Sequence, residues 1–463
     1  MAVQLNYLAP KNWKLNDNYL VTLIKVELSD VALKEVKSKN LNQVFEEAAA
    51  SVAAESSTGT WTKVYDGPES GIPRAKKYRA LAFDLDYERK MFKVAYPIKL
   101  FELNNVSGLL AGIVGNIAGM KMVSAMRFFD VKFPKKMIDK FPGPAFGVYG
   151  VRKLLKKKKE CLLCTVPKPK IGRTDKEQAG LAKELFNAGD GNYDGIKDDE
   201  NLTNLSFNKF DKRVKLVLDE AKKSEKLTGK KKFYLCNITH SNIDEMERRA
   251  KLIKKNKGIF MMMDVITTGF SAVDTIRRRN LGLAIHAHRA MHGFITRDNS
   301  EGIHGKGELN GFSISMIVLA KLFRLLGVDS IHGGSPLSKM EDYNEAVYIK
   351  KILQEKNLKP DSKIPSLGQN WYHIRPVWMT ASGGLHPGDF EVILDTLGSD
   401  VIIQCGGGIL GHPKGIKAGV IAAQQARDIY YKKIKIKDFV KKEDCSELAD
   451  AVREWGYGPR IVY

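Results

Sequence analysis

At 463 residues, 43% of them hydrophobic, the chain has room for two or three domains around a large core and needs no disulfide framework to fold. Lys and Arg number 75 against 53 Asp and Glu, a net charge of +22 that favours anionic partners and disfavours cationic ones. The basic residues lie in short runs, such as 156–159 and 230–232, without the interleaved aromatics of a single-strand binder; a solvated surface is favoured over a nucleic-acid groove, and a non-catalytic basic nucleic-acid-binding protein is kept as the non-enzymatic alternative.

The opening MAVQLNYLAPKNW has no apolar run of the signal-peptide kind. A strand is expected over 19–28, then a helix over 41–54 with Val44, Phe45, Ala48 and Val52 on one side. Strands over 79–86 and 90–97 follow, paired through 87–89, then a Gly-rich helix over 106–119 and a last strand near 127–133. The apolar stretch 106–120 is too short and too broken by glycine to span a membrane, so a soluble, cytoplasmic protein is expected. These elements make an α+β domain over 1–142, ending at the turn Pro142, Gly143, Pro144.

From residue 143 onward the pattern is a strict alternation. Apolar strand-like runs fall at 161–166, 195–198, 233–238, 259–265, 283–288, 330–332, 376–381 and 401–404, with helical periods at 176–187, 208–226, 243–255, 272–279, 313–326, 341–355, 390–397 and 417–432. Eight strand–helix units close as a (β/α)8 barrel rather than an open sheet, which defines a catalytic domain over 143–463 with a C-terminal helical extension. Cys161 and Cys164 form a CxxC in the first strand, but no second pair or neighbouring histidine completes a zinc site, so buried strand cysteines are the better reading. With Cys236, Cys405 and Cys445 they make five, without disulfide spacing, which implies a reducing compartment.

A barrel carries its chemistry where strands end and the next loops begin. The first strand ends in Lys168 and Lys170; the second in GIKDDEN, with Lys197, Asp198, Asp199 and Glu200; the fifth in His286, His288 and Arg289. The sixth ends in His332 and a loop holding Lys339, the seventh in Ser382, Gly383 and Gly384, the eighth in Gly406, Gly407 and Gly408. Most acidic runs are solvated clusters, but on a barrel strand end Asp199 and Glu200 point to a divalent cation, Mg2+ rather than Zn2+ because the ligands are oxygens. Lys197 is the anomaly: a protonated amine would repel the metal, so it points away, is neutralised, or is modified. The glycines after strands seven and eight are either a backbone phosphate cradle or a pair of tight turns. Arg289 with His332, and Lys339, are candidates for a second anionic group, against the commoner reading of a strand histidine as a satisfied core residue. Two anion sites flanking a metal imply a bisphosphate.

These residues, in this order, resemble the large subunit of ribulose-1,5-bisphosphate carboxylase/oxygenase. The resemblance covers most of the chain through AAESSTGTW at 53–61, IVGNIAG at 113–119, PKPKIG at 167–172, GIKDDEN at 195–201, HAHRAMH at 286–292, the loop 332–339, SGGLHPG at 382–388 and GGGILGHP at 406–413. It implies a ferredoxin-like N-terminal domain before the barrel, and a Lys197 that carries an activating carbon dioxide as a carbamate and binds Mg2+ with Asp199 and Glu200. It further implies enolisation of ribulose-1,5-bisphosphate, attack on carbon dioxide, and cleavage to two 3-phosphoglycerates, with an oxygenase side reaction. Lys168 would protonate the product carbanion, and Lys170 and His288 would support proton handling. Thr60, Trp61, Lys339, Gly383, Gly384, Gly406 and Gly407 would hold one phosphate, and Arg289, His332 and Ser382 the other end. Lys339 would sit on a closing loop with Glu55 as its partner. Glu55, Thr60, Trp61 and Asn116 would serve the barrel of a neighbouring subunit, so the resemblance implies a homodimer or higher homo-oligomer of dimers.

The closing loop, GGSPLSKMED, departs from the family: Ser338 and Asp342 stand where glycines are usual, and Pro336 lies in a normally flexible run. Proline fixes φ and loss of glycine removes freedom, so closure is expected to be slower or differently hinged. The chain is closer to archaeal, form III-like members than to plant ones, which implies nucleotide-sugar (AMP) salvage and no small subunit. The enzymatic alternative is a carboxylase-like enolase or isomerase acting on a related sugar phosphate; such relatives replace some of the residues matched here.

Overall fold

The computed structural model describes residues 4–35, 40–60, 64, 71–337 and 342–458. Among the described residues fifteen strands run in chain order: β1 (Tyr19–Leu28), β2 (Leu81–Asp86), β3 (Met91–Pro97), β4 (Val123–Lys132), β5 (Leu162–Thr165), β6 (Gly195–Lys197), β7 (Phe233–Asn237), β8 (Phe260–Asp264), β9 (Ala284–His288), β10 (Phe312–Ile314), β11 (Ser330–His332), β12 (Asn357–Leu358), β13 (Gln369–Asn370), β14 (Trp378–Ala381) and β15 (Val401–Gln404). The chain divides into two compact units, one of Met1–Pro142, Met291–Leu325 and Glu355–Ile374, the other of Gly143–Ala290, Leu326–Gln354 and Arg375–Tyr463.

In the first unit β1, a helix over Leu41–Glu55, β2, β3, a helix over Val106–Ile113 and β4 follow one another. The sheet order β10-β4-β1-β3-β2 places β1 centrally, antiparallel to both β3 and β4. This β-α-β-β-α-β order is the ferredoxin-like arrangement. Asn40 starts the first helix with a capping box to Gln43. The second helix stops at Ile113, short of the expected 119; turns over 114–116 lead into a 3-10 turn over Ile117–Gly119. Strand β10 lies where a helix was expected to begin at 313. It pairs in parallel with β4 from far along the chain, so the helix starts only at Met316. Three residues whose partner is so distant leave no local period to read.

In the second unit, eight parallel strands close in the order β11-β14-β15-β5-β6-β7-β8-β9. Strand period 2 sets the interior in layers. Leu162, Phe233, Phe260, Ala284, Trp378 and Ile402 fill the N-terminal end of the barrel, together with Val148, Val151 and Leu155 of a helix over Gly147–Leu155. Trp378 Nε1 donates to Val148 O at 3.2 Å, which holds that helix as a plug. Gly195 opens β6 in this layer because a Cβ there would meet the Phe233 ring at 2.2 Å. Above come Cys164, Leu235 and Met262, and the same alternation brings Lys197, Asn237, Asp264, His288 and His332 to the inner face of the C-terminal rim.

The cysteines are all free, and four of them are buried. Burial pushes the Cys161 thiol up to about 12, and raises Cys164, Cys236 and Cys405 as well. Iodoacetamide is therefore expected to modify the native chain at exposed Cys445 alone, slowly at neutral pH because a hydrogen bond to Asp444 raises that thiol too. Intact-mass measurement before and after denaturation checks this; label on Cys161 or Cys164 in the native protein would contradict it. Among the described residues no helix is long and apolar enough to cross a membrane.

Candidate active site

Alternation along GIKDDEN separates its charges onto two faces. Asp198 turns away from the barrel axis and meets Arg213 Nη2 at 3.2 Å; both side chains are 0% exposed. The Tyr234 hydroxyl and the Asn237 backbone N–H also donate to that carboxylate. Lys197 and Asp199 take the other face. Lys197 is 1% exposed, and its Nζ donates to Asp198 O at 2.7 Å. Burial lowers its pKa, although Glu200, Asp264 and Asp199 pull it back upward. The amine therefore does not escape to solvent; it is desolvated among carboxylates.

Asp199 Oδ1 accepts from Asn201, at 3.2 Å from the backbone N and 3.1 Å from Nδ2. Its Oδ2 is buried without a hydrogen bond, and Lys168 Nζ stands 3.6 Å away. Glu200 is half-buried. Burial alone would raise its carboxyl, but its own backbone N–H, Lys170 at 3.0 Å, His288 and Lys197 outweigh that and hold it at about 2. Lys170 is raised in turn, chiefly by its hydrogen bond to Glu200.

Three histidines line the opposite strands. His286 Nδ1 is 2.8 Å from Ser330 Oγ, His288 Nδ1 is 2.8 Å from Asp264 Oδ1, and His332 Nδ1 is 2.9 Å from Ser382 Oγ. The His332 ring packs edge-on against His286 and His288, with centroids 4.9 and 4.8 Å apart. Burial lowers all three pKa values; the neighbouring cations and rings add to this at His286 and His332, whereas at His288 Lys197 adds to it and the Asp264 and Glu200 carboxylates pull the other way. Nε2 of His286 and of His332 has no hydrogen bond. Arg289 is buried directly after β9.

Gly383 and Gly384 follow β14 with φ of 113° and 78°, in the region that favours glycine. At Gly406, after β15, a Cβ would meet Lys168 Cε at 3.1 Å, whereas Gly407 is exposed with open space around it. Glu55 ends the helix over Leu41–Glu55 and is exposed, as are Thr60 and Asn116; these three belong to the first unit. Trp61, Ser338 and Lys339 lie outside the described residues. Of the loop's departures, Pro336 is buried, and Asp342 has a local role. Its Oδ1 accepts from Glu345 N at 3.0 Å and so caps the helix over Tyr343–Gln354.

Three residues absent from the sequence-derived candidates help build this rim: Arg213, Asn237 and Asp264. Asn237 ends the apolar run FYLC, and Asp264 ends FMMM. The strand-end rule that selected Lys168 and His288 marks both of them. Arg213 gave no such signal, since it lies within a helix of many lysines and its partner is found only in three dimensions.

Residues 147–455 match the family described as ribulose bisphosphate carboxylase large chain, catalytic domain, and residues 33–137 its N-terminal domain. A ribulose bisphosphate carboxylase of Thermococcus onnurineus is 41% identical over 418 residues, 89% of this chain and 90% of that one. Among solved structures, a dimeric archaeal Rubisco from Hyperthermus butylicus superposes with a TM-score of 0.85 at 35% identity, covering 98% of this chain and 100% of the other. An octameric ribulose-1,5-bisphosphate carboxylase/oxygenase from Pyrococcus horikoshii, in complex with sulfate, gives 0.83 at 36%, covering 98% and 97%. With both domains matched and archaeal relatives aligned over nearly their full length, the chain belongs to the ribulose bisphosphate carboxylase large-chain family.

Proposed function

We propose that the chain is a Mg2+-dependent ribulose-1,5-bisphosphate carboxylase activated by carbon dioxide at Lys197. The observation that carries this reading is a desolvated lysine beside an orphaned carboxylate oxygen. Among the described residues no three His, Cys, Asp or Glu side chains gather to hold a metal. Asp199 and Glu200 supply two anionic ligands, and Lys197 stands where the third is needed. Asp199 Oδ2 is buried without a donor, which suits a cation. Addition of carbon dioxide to the neutral amine forms an N–C bond, releases a proton and turns a repelling group into an anionic one. The carbamate of Lys197, Asp199 and Glu200 would then hold Mg2+, which, when bound, supplies Lewis acidity toward the substrate's oxygens.

The chain's own groups take the remaining roles. Lys168, partly exposed beside Asp199, is the proposed donor that returns a proton to the product carbanion. Lys170, tied to Glu200, keeps positive charge at the rim, and the His288 ring, 3.8 Å from Glu200, is the proposed partner in proton handling. Arg289, His332 and Ser382 suit one phosphate, and the backbone of Gly383, Gly384, Gly406 and Gly407 the other. Lys339 is the proposed closing-loop cation. Glu55, Thr60, Trp61 and Asn116 are proposed to complete the barrel site of a neighbouring subunit, in a homodimer or an assembly of dimers without small subunits. The dimeric and octameric relatives support that assembly. We place the enzyme in the cytoplasm, in nucleotide-sugar salvage, with oxygen as a competing substrate. An enolase-like relative is disfavoured because Lys197, Asp199, Glu200 and Lys168 are all kept.

The test is fixation of labelled carbon dioxide into 3-phosphoglycerate after preincubation with bicarbonate and Mg2+. Label in 3-phosphoglycerate that depends on ribulose bisphosphate is expected; none would overturn the reading.

A further inference from the structure

Asp264 closes β8 with its carboxylate on the inner face of the barrel, 3% exposed. Oδ1 lies 2.8 Å from His288 Nδ1. Oδ2 accepts from Thr239 Oγ1 at 3.2 Å and from Asn237 Nδ2 at 3.4 Å. Thr239 is itself fixed: its Oγ1 accepts from Asp264 N at 3.0 Å, its backbone N donates to Asn237 Oδ1 at 3.0 Å, and its carbonyl accepts from Arg249 at 2.9 Å. Both carboxylate oxygens therefore receive donors, and the loops after β7 and β8 lock the group in one orientation.

An ionised carboxylate only accepts, so the hydrogen it shares with the ring sits on His288 Nδ1. In the neutral ring Nε2 is then the acceptor. That nitrogen faces the acidic strand end of β6, 3.8 Å from Glu200 Oε2. We propose that Asp264 is a positioning residue for the carboxylation, fixing His288 as the Nδ1–H tautomer and so presenting Nε2 as the acceptor for a substrate hydroxyl proton. This rests on the carboxylase reading and deepens the same site. When Nε2 takes the proton, the substrate O–H bond breaks and its electron pair stays on the oxygen. The ring becomes an imidazolium facing the Asp264 carboxylate, and the proton later returns from Nε2. Asn237 links this pair to the loop carrying the two acids, because its Nδ2 also reaches Asp199 O at 3.4 Å and Glu200 O at 3.1 Å.

Histidine-selective 15N labelling, with His288→Gln to assign the ring, reads the tautomer directly. The wild type is expected to show a protonated Nδ1 and a bare Nε2 at His288, and Asp264→Asn to move that ring toward the other tautomer. A protonated Nε2 in the wild type, or a ring unchanged in Asp264→Asn, overturns the proposal. In kinetics, Asp264→Asn is expected to lower kcat by roughly 10^2- to 10^4-fold, since a wrong tautomer leaves geometry intact but removes the acceptor. KM for ribulose bisphosphate should stay within about threefold. Labelled carbon dioxide and Mg2+ retained on the protein should not fall, and Asp264→Glu should recover part of kcat. A kcat near that of the wild type, or carbon dioxide retention lost in step with kcat, overturns the positioning role. If the wild type fixes no carbon dioxide, the carboxylase reading fails, while the ring spectrum still decides the tautomer.

Discussion

Lys197→Met is expected to abolish fixation of labelled carbon dioxide, by at least about 10^3-fold, and to leave the fold intact. Methionine matches the length of lysine, and the site is already desolvated, with 1% of the residue exposed. The lost hydrogen bond to Asp198 O is offset by removing a buried ammonium, so little stability is lost. On the proposed carbamate reading the rate falls because a thioether cannot add carbon dioxide, and Asp199 and Glu200 would be left as two ligands without a third. Lys197→Arg separates this from simple loss of charge. A guanidinium stays protonated, so it keeps the cation and cannot become the anionic ligand; it is expected to be as inactive as the methionine variant. Burial lowers the Lys197 pKa in the folded chain, so the neutral amine is reached below the pH at which a free lysine titrates. Activation by carbon dioxide should accordingly slow as pH falls and the ammonium returns. The measurement is the rate of 3-phosphoglycerate labelling with and without preincubation in bicarbonate and Mg2+. Either variant keeping a tenth or more of wild-type activity would sink the carbamate assignment.

What the sequence discloses about this site depends on which interactions are local. Alternating apolar runs and helical periods carry the barrel, because a period of 2 or 3.6 is written within a few residues. Lys197 and Asp199 are legible as a pair for the same reason: two residues apart where β6 ends, they continue its alternation on one face. Asp198, between them, reads as part of one acidic cluster, yet it faces outward to a buried arginine that only the closed fold brings near. Asp264 stayed unread because a single acid at the end of four apolar residues carries no charge pattern, and its meaning comes from His288 on the next strand. β10 was missed because its partner is β4, far upstream. At Asp342 the loop's departure from glycine is legible as a change of residue, but its cause, the cap on the helix over Tyr343–Gln354, required the helix start itself.

Arg213→Met is expected to destabilise the protein by about 3–5 kcal/mol, the cost of leaving a buried carboxylate without its cation. Asp198 and Arg213 are both fully buried, so water cannot take the place of the missing guanidinium. The Tyr234 hydroxyl and Asn237 N–H would remain on Asp198, but neither brings a positive charge. Arg213 also donates to Leu202 O at 3.3 Å, Thr203 O at 2.8 Å, and Asn208 O and Oδ1 at 3.1 and 2.9 Å. One side chain therefore stitches the whole loop that leaves β6, and that loop carries Asp199 and Glu200. Losing it should lower the urea midpoint and, if Asp199 and Glu200 bind Mg2+ as proposed, the Mg2+ affinity too, since the two carboxylates lose their fixed spacing. Adding Asp198→Asn to Arg213→Met removes the stranded charge, so the double variant should regain part of the lost stability. The loop carbonyls would still lack their donor, and Mg2+ affinity should stay low. Equilibrium unfolding of the two single variants and the double variant, alongside Mg2+ titration, separates the two effects. A loss below about 1 kcal/mol in Arg213→Met, the scale of an exposed pair, would show that this ion pair does not hold the loop that carries Asp199 and Glu200.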